Sequence, residues 1–271
     1  MSIFHKLRVK EVRRETVDAV SVAFDVPNEL EKEFQFLPGQ YITIQINLDD
    51  SLIRRAYSIC SSPDSGELRV AIKYVDKGRF SNFANHILKE GDTLDVAGPE
   101  GRFVLEVETS NQKDYLAIAA GSGITPVISM IKAVLQNAKD SRFALIYGSK
   151  SGEKTIFKKE LDELAVSTNG RLQVQYVYSQ IISDKALFGR IDAKLVKEHL
   201  KNKYSGWNFD TYFLCGPEEM IDDAKAMLIK NGINEDAIKF ELFSSTSNKK
   251  EVTKSLSGNA EICVVLDDEE T

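Results

Sequence analysis

The first hundred residues alternate between apolar and polar positions in short runs: KLRVKEVRR (6–14), AVSVAFDV (19–26), QYITIQINL (40–48), RRAYSICSS (54–62), ELRVAIKYV (67–75) and TLDVAG (93–98). They are rich in Val, Ile, Tyr and Thr and are separated by turn clusters such as LPGQ (37–40) and PDSGE (63–67), so each predicts a strand. Short strands at this spacing suggest an antiparallel barrel or sandwich. One helix interrupts them at SNFANHILKEG (81–91), where Ser81 is placed to cap, Phe83, Ile87 and Leu88 to form an apolar stripe, and Gly91 to end it.

Beyond about residue 110 strands alternate with helices. YLAIAA (115–120), RFALIYG (142–148), RLQVQYVYS (171–179) and TYFLCG (211–216) are interleaved with helical patterns at 126–138, 156–165, 193–202 and 218–232. That rhythm predicts a parallel sheet covered on both faces. The boundary is expected near 106–113, within the polar stretch VETSNQKD, which divides the chain into 1–108, 109–243 and a remainder, 244–271. The remainder reads as a Ser/Lys/Asn/Thr-rich linker followed by a strand, AEICVVLDD, which either adds to the edge of the preceding sheet or begins a further domain.

Composition narrows the function classes. The chain has 271 residues, 42% hydrophobic and 28% charged, an ordinary globular mix with material for about two domains. A net charge of −6 disfavours nucleic acid as a partner. The N-terminus lacks the apolar core of a signal peptide, and no stretch approaches the ~20 apolar residues of a membrane helix, so a cytoplasmic protein with no membrane partner is expected. Cys60, Cys215 and Cys263 are far apart and read as buried free thiols, and His5, His86 and His199 are equally scattered, so no metal site is expected.

Ligands of open parallel sheets bind beyond the carboxyl ends of the strands, and two such ends carry unusual residues. In Gly121-Ser122-Gly123-Ile124-Thr125-Pro126 the glycines permit a tight strand-to-helix turn, so that helix-start amides face an anionic pyrophosphate. The pattern is GxGxxP rather than GxGxxG, and alone it reads equally as a plain turn. At Cys215-Gly216-Pro217 a strand stops at a small thiol, which is either filler or a functional wall. In the first half, Arg55-Ala56-Tyr57-Ser58 offers a guanidinium for phosphate, a phenol to stack on a flat ring and a hydroxyl for a ring nitrogen, or else a solvated strand. Gly78-Arg79-Phe80-Ser81 supplies a helix N-terminus suited to an anion. One dinucleotide per domain explains both features.

In order, RAYS (55–58), GRFS (78–81), GPEG (98–101), GSGITP (121–126), GRI (189–191), CGP (215–217) and ELF (241–243) resemble the ferredoxin–NADP reductase superfamily over residues 1–243, in particular oxygenase reductase components of the phenylacetyl-CoA epoxidase type. The resemblance implies a six-stranded antiparallel β-barrel that binds FAD, followed by an α/β domain that binds NAD(P)H. It places Arg55, Ala56, Tyr57, Ser58, Lys73, Tyr74, Val75, Gly78, Arg79, Phe80, Ser81, Thr125, Glu241 and Phe243 around FAD. It places Gly121, Gly123, Thr125, Pro126, Ser179, Arg190, Cys215, Gly216 and Pro217 around NAD(P), with Ser58 and Cys215 beside the reacting rings.

Two departures stand out. Ser179 is followed by Gln180 where NADP-specific members commonly carry Ser-Arg, although Lys185 or Arg190 could supply charge. The ferredoxin run C-x4-C-x2-C is missing, so a 2Fe-2S cluster belongs to a domain or partner outside this chain, and the tail is expected to be the first strand of a truncated ferredoxin domain. The function implied is hydride transfer from NAD(P)H to FAD and then single electrons to an iron–sulfur protein or oxygenase component. The alternatives are a stand-alone ferredoxin or flavodoxin reductase and a non-catalytic electron-transfer subunit. With no GxSxG elbow, a hydrolase is disfavoured.

Overall fold

A computed structural model describes residues 3–243. The N-terminal strands are β1 (Phe4–Thr16), β2 (Ala19–Asp25), β3 (Tyr41–Leu48), β4 (Ser51–Ser58), β5 (Leu68–Lys73) and β6 (Thr93–Ala97). They form one antiparallel sheet in the order β4-β3-β6-β1-β2-β5. The chain just beyond β4 returns to β5, with Ile59 opposite Val70 and Cys60 N donating to Arg69 O at 2.8 Å, and this closes the barrel. Strand alternation fills the interior: Leu7, Val9, Ile42, Ile44, Val70, Ile72 and Val96 are buried in one cluster.

The barrel helix is α1 (Arg79–His86), and here the structure corrects the sequence reading. Gly78, not Ser81, is the N-cap; Ser81 Oγ instead accepts from Val75 N at 3.2 Å and donates to Gly78 O. Of the expected stripe, Phe83 packs against the barrel core and Leu88 is buried beyond the helix end, together with Phe80 and Ala84, whereas Ile87 is 66% exposed; the helix ends at His86, before Gly91, which lies in a later turn.

The second half contains β7 (Asp114–Ala120), α2 (Ile124–Asn137), β8 (Arg142–Ser149), α3 (Lys158–Ser167), β9 (Leu172–Tyr178), β10 (Leu187–Phe188), α4 (Ala193–Asn202), β11 (Phe209–Gly216), α5 (Glu218–Lys230) and β12 (Ile238–Leu242). Every pairing is parallel, in the order β10-β9-β8-β7-β11-β12. Helices α2 and α3 cover one face and α4 and α5 the other, which explains why β7 is apolar almost throughout. The chain leaves β7 toward β8 and later returns to its other side as β11, so the switch point of the sheet lies where β7 and β11 end. Helix α3 begins two residues later than its sequence pattern predicts, because Phe157 adopts a left-handed conformation (φ 59°) and is buried. Strands β10 and β12 go beyond the elements that the sequence pattern predicts. The strand expected at AEICVVLDD lies outside the described residues, as does Cys263.

Helix α2 ties the halves together. Ser129 Oγ donates to Ser61 O at 2.6 Å, Lys132 Nζ to Cys60 O at 3.1 Å, and Asn137 Nδ2 to Asp64 Oδ2 at 2.6 Å. On the far side of the seam Lys239 Nζ donates to Val104 O at 2.9 Å. Phe103 and Leu105, which follow the barrel, pack into the same core as α2 and β7. Among the described residues no helix is long and apolar enough to cross a membrane.

Ser129→Ala is expected to cost about 1–2 kcal/mol, because it orphans the Ser61 carbonyl against a buried helix face. Lys159→Ala, which removes only an exposed pair with Glu163, is expected to cost under about 0.5 kcal/mol. Urea unfolding of both variants checks the contrast.

Candidate functional site: the seam between barrel and sheet

On the barrel side, β3–β4 pairing sets Tyr41 opposite Ser58 at the end that meets the sheet. Ser58 is 2% exposed. Arg55 is half-buried and its Nη1 donates to Arg54 O at 2.8 Å; Ala56 is half-buried beside it. Tyr57 points into the barrel, where its ring packs on Phe80 at 5.5 Å. Lys73 ends β5, facing the other domain across Gly121: a Cβ on that glycine would lie 3.8 Å from Lys73 Nζ. Burial lowers the Lys73 pKa, and Asp18 offsets the effect. Tyr74 N donates to Asp18 O, and its ring stands edge-on to His86 at 5.8 Å. Asn82 Nδ2 donates to Gly78 O at 2.8 Å, holding the 75–78 turn against α1. Arg79 is turned outward, donating to Leu48 O with Asp49 3.7 Å away.

On the sheet side, Gly121 takes a left-handed φ of 57°, and the turn enters α2 directly. Tyr147 Oη donates to Gly121 O at 2.9 Å, and Thr125 Oγ1 to Ser122 O at 3.0 Å. Pro126 lies in the first helical turn, where no donor is lost. Gly123 is dictated by close approach, since a Cβ there would stand 2.3 Å from Cys215 O. The two loops singled out in the sequence are therefore pressed backbone to backbone at the switch point. Pro217 caps α5, and Phe243 N donates to Gly216 O at 3.2 Å.

Strand β12 brings Glu241 into register with Cys215. Glu241 is 5% exposed and Cys215 fully buried. Burial pushes the Glu241 carboxyl up to about 8, an effect the nearby Ser58 hydroxyl offsets only in part. Burial, and then the charge of Glu241, raises the Cys215 thiol well above its usual value. Ser58 Oγ and Glu241 Oε2 are sealed from solvent and lie near each other, but neither completes a well-formed hydrogen bond within the protein. Unsatisfied buried oxygens cost about 1–3 kcal/mol each, which a flat polar ring with donors and acceptors at its edge would relieve. In that respect the residues present fit a flavin.

At the far end of the same sheet edge, Ser179 N donates to Ser149 O at 3.0 Å, and Gly189 N donates to Tyr178 O at 2.9 Å. Ser179 and the exposed Arg190 therefore flank one backbone hydrogen bond. Sequence reasoning missed Tyr41, whose pKa is raised by burial with Glu100 and Glu241 adding to it, and Tyr147 beneath the glycine turn. Correct pairing of β3 with β4 was the one signal for Tyr41.

A barrel whose end faces the switch point of a parallel sheet, with a glycine turn and a buried carboxyl at the seam, defines a two-domain flavin and nicotinamide-nucleotide oxidoreductase. Family models agree: the oxidoreductase FAD-binding domain matches residues 6–105 and the oxidoreductase NAD-binding domain residues 117–226. The chain is 38% identical to one of the subunits of 1,2-phenylacetyl-CoA epoxidase of Escherichia coli, over 92% of this chain and 70% of that one. It is 31% identical to the ferredoxin reductase component of 3-ketosteroid-9-alpha-monooxygenase of Rhodococcus rhodochrous, over 89% of this chain and 65% of the relative. The fold matches the FAD/NAD-binding domain of a Vibrio cholerae nitric oxide dioxygenase with a TM-score of 0.77 at 22% identity, over 90% of this chain and 99% of that one. The chain belongs to the ferredoxin–NADP reductase superfamily, and it is an FAD-dependent NAD(P)H reductase.

Two outcomes test the seam. Glu241 has its pKa raised on folding, so its stabilising contribution is complete below pH ~4.5 and is lost as pH rises toward about 8, at up to ~1.4 kcal/mol per pH unit. Glu241→Gln should remove that slope and be more stable than the parent above pH 8 in flavin-free protein, read by urea unfolding across pH. Gly123→Ala should separate the two loops and lower the melting temperature by several degrees, on the order of a 1–3 kcal/mol overpacking cost.

Proposed function

We propose that the chain acts as the cytoplasmic reductase component of an oxygenase system, with residues 1–108 holding FAD and 109–243 holding NADH or NADPH. Its acceptor in this reading is an iron–sulfur centre in another domain or a partner protein. The observation that carries the reading is the pair of buried, unpartnered oxygens of Ser58 and Glu241 beside the buried Cys215, at the junction of the two domains. The names of two sequence relatives support it, since the epoxidase and the 3-ketosteroid monooxygenase named above are oxygenase systems. The chain spans 70% of one and 65% of the other, so their whole activities are proposed here only in this general form.

Bound in the seam, the flavin supplies the conversion of a two-electron hydride into single electrons, which no side chain there performs. Ser58 offers its hydroxyl to the ring edge. Cys215, held protonated by burial, forms a dry wall with Gly216 and Pro217 against which a nicotinamide is positioned. Glu241 stays protonated through neutral pH and can hold a proton at its carboxyl without placing a charge there. On the barrel, Arg55, Ala56, Lys73, Tyr74 and Val75 are assigned to the flavin, with Tyr57 packed on Phe80 behind them rather than stacked on the ring, Gly78, Arg79, Phe80 and Ser81 at its phosphates, and Thr125 and Phe243 closing over it. Gly121, Gly123 and Thr125 present helix-start amides to the nucleotide pyrophosphate, with Pro126 fixing the first turn of the helix behind them, and Ser179 and Arg190 stand toward its adenosine end.

Steady-state reduction of an artificial one-electron acceptor and of a 2Fe-2S protein, with NADH and NADPH in parallel, tests the assignment. Ser58→Ala and Cys215→Ala are each expected to slow flavin reduction about tenfold or more, equivalent to ~1.4 kcal/mol. Their melting temperatures should change little. Unchanged reduction rates with lowered stability would assign both residues to packing.

A further inference from the structure

Strand register sets one residue from each of five neighbouring strands in a single row just before the strands end: Tyr176 on β9, Tyr147 on β8, Ala119 on β7, Cys215 on β11 and Glu241 on β12. Ala119, Cys215, Tyr147 and Tyr176 all enter the core beneath α2 and α3, so the row faces that side of the sheet. Ala119 is its smallest member and lies two residues before Gly121. The room it leaves lets the Tyr147 side chain reach across from the next strand, and the hydroxyl donates to Gly121 O at 2.9 Å.

Tyr147 is fully buried, and burial raises its pKa, so the phenol stays neutral and keeps its donor. Its ring packs on Tyr176 at a centroid distance of 6.3 Å, in the same core as Ile156 and Phe157. A phenylalanine would fill that apolar position equally well, so packing does not account for the hydroxyl. The turn does. The Gly121–Ser122 peptide is trans, so its N–H points opposite to its C=O. With the carbonyl tied down to Tyr147, the Ser122 amide is aimed away from the core, beyond the strand ends where ligands of parallel sheets bind. Gly121 has no Cβ and a φ of 57°, and rotating its peptide plane costs little without an outside restraint. A reversed plane would present a carbonyl oxygen to a bound anion in place of the N–H.

We propose that Tyr147 is a positioning residue for the dinucleotide: it touches no substrate, and it holds the Gly121–Ser122 peptide so that the amide faces the pyrophosphate. The inference rests on the proposed seating of NAD(P)H at the glycine turn. It assigns Tyr147 to phosphate binding and not to hydride transfer, and equally for both nucleotides, because they share the pyrophosphate.

Tyr147→Phe removes the donor and keeps the ring. In the flavin-loaded full chain, calorimetry should show NAD+ and NADP+ each binding about 3- to 10-fold more weakly, the value of one hydrogen bond. KM for NADH and NADPH should rise by the same factor, with flavin reduction at saturation held within about twofold. Reduction by N-benzyl dihydronicotinamide, which carries no phosphate, should be unchanged. Para-aminophenylalanine in place of Tyr147 retains a donor and should restore tight binding. The seating is tested separately, by the amide NMR resonance of isotope-labelled Ser122 in the parent, which should shift on addition of NADP+. A resonance that stays still would show the nucleotide to lie elsewhere, and the inference falls with that seating. A resonance that shifts, combined with parental nucleotide affinity in Tyr147→Phe or an equal loss with the phosphate-free donor, would leave the seating intact and reduce Tyr147 to a core residue.

Discussion

The seam exists because helix α2 is hydrogen-bonded to the barrel. Ser129 and Lys132 take the backbone carbonyls of Ser61 and Cys60, which follow β4 directly, so the strand that carries Ser58 and the helix that begins at the glycine turn cannot shift independently. Both carbonyls are satisfied only across the domain boundary, which makes relative movement of the domains costly. Phe103 and Leu105 add an apolar contribution by crossing into the core of the second domain. The groups at the seam therefore occupy fixed positions rather than an average over domain orientations.

Within that frame unfavourable chemistry is concentrated at the seam. Glu241 is buried beside a thiol whose pKa its charge would raise further, and both Ser58 Oγ and Glu241 Oε2 lack partners. Elsewhere, comparable groups are paired: buried Arg69 contacts Glu11, Glu67 and Ser21, and Asp114 holds Arg142. Two of the three buried side-chain oxygens that lack a partner among the described residues lie together at the domain junction, the third being the Tyr204 hydroxyl, and such a pair marks a ligand position. The close packing of Gly123 on Cys215 fixes how near the nucleotide turn stands to this position.

Most of the architecture was legible in the sequence because each half follows its own period. Two-residue alternation marked the barrel strands, and in the second half continuous apolar strands alternated with amphipathic helices. What could not be read depended on tertiary contacts. Ile87 fits a helical stripe but lies past the end of α1, and Ser81 has cap chemistry but is spent on the 75–78 turn. Strand β12 carries a half-polar pattern, IKFEL, since it is an edge strand with one neighbour. The glycine turn and the CGP turn were visible as motifs, but their contact depends on β7 and β11 pairing as neighbours, the nearness of Tyr41 to Ser58 on β3–β4 pairing, and that of Glu241 to Ser58 on the docking of the barrel against the sheet. The orphaned hydroxyl of Tyr204 had no signal in the sequence at all.

Infrared difference spectroscopy tests most directly whether Glu241 and Ser58 lie at the flavin edge. In flavin-free protein a protonated-carboxyl band that disappears in Glu241→Gln should titrate near pH 8. Addition of FAD should shift that band and move its titration. A Glu241 band that is the same with and without FAD, at every pH, would place the flavin elsewhere and contradict this arrangement.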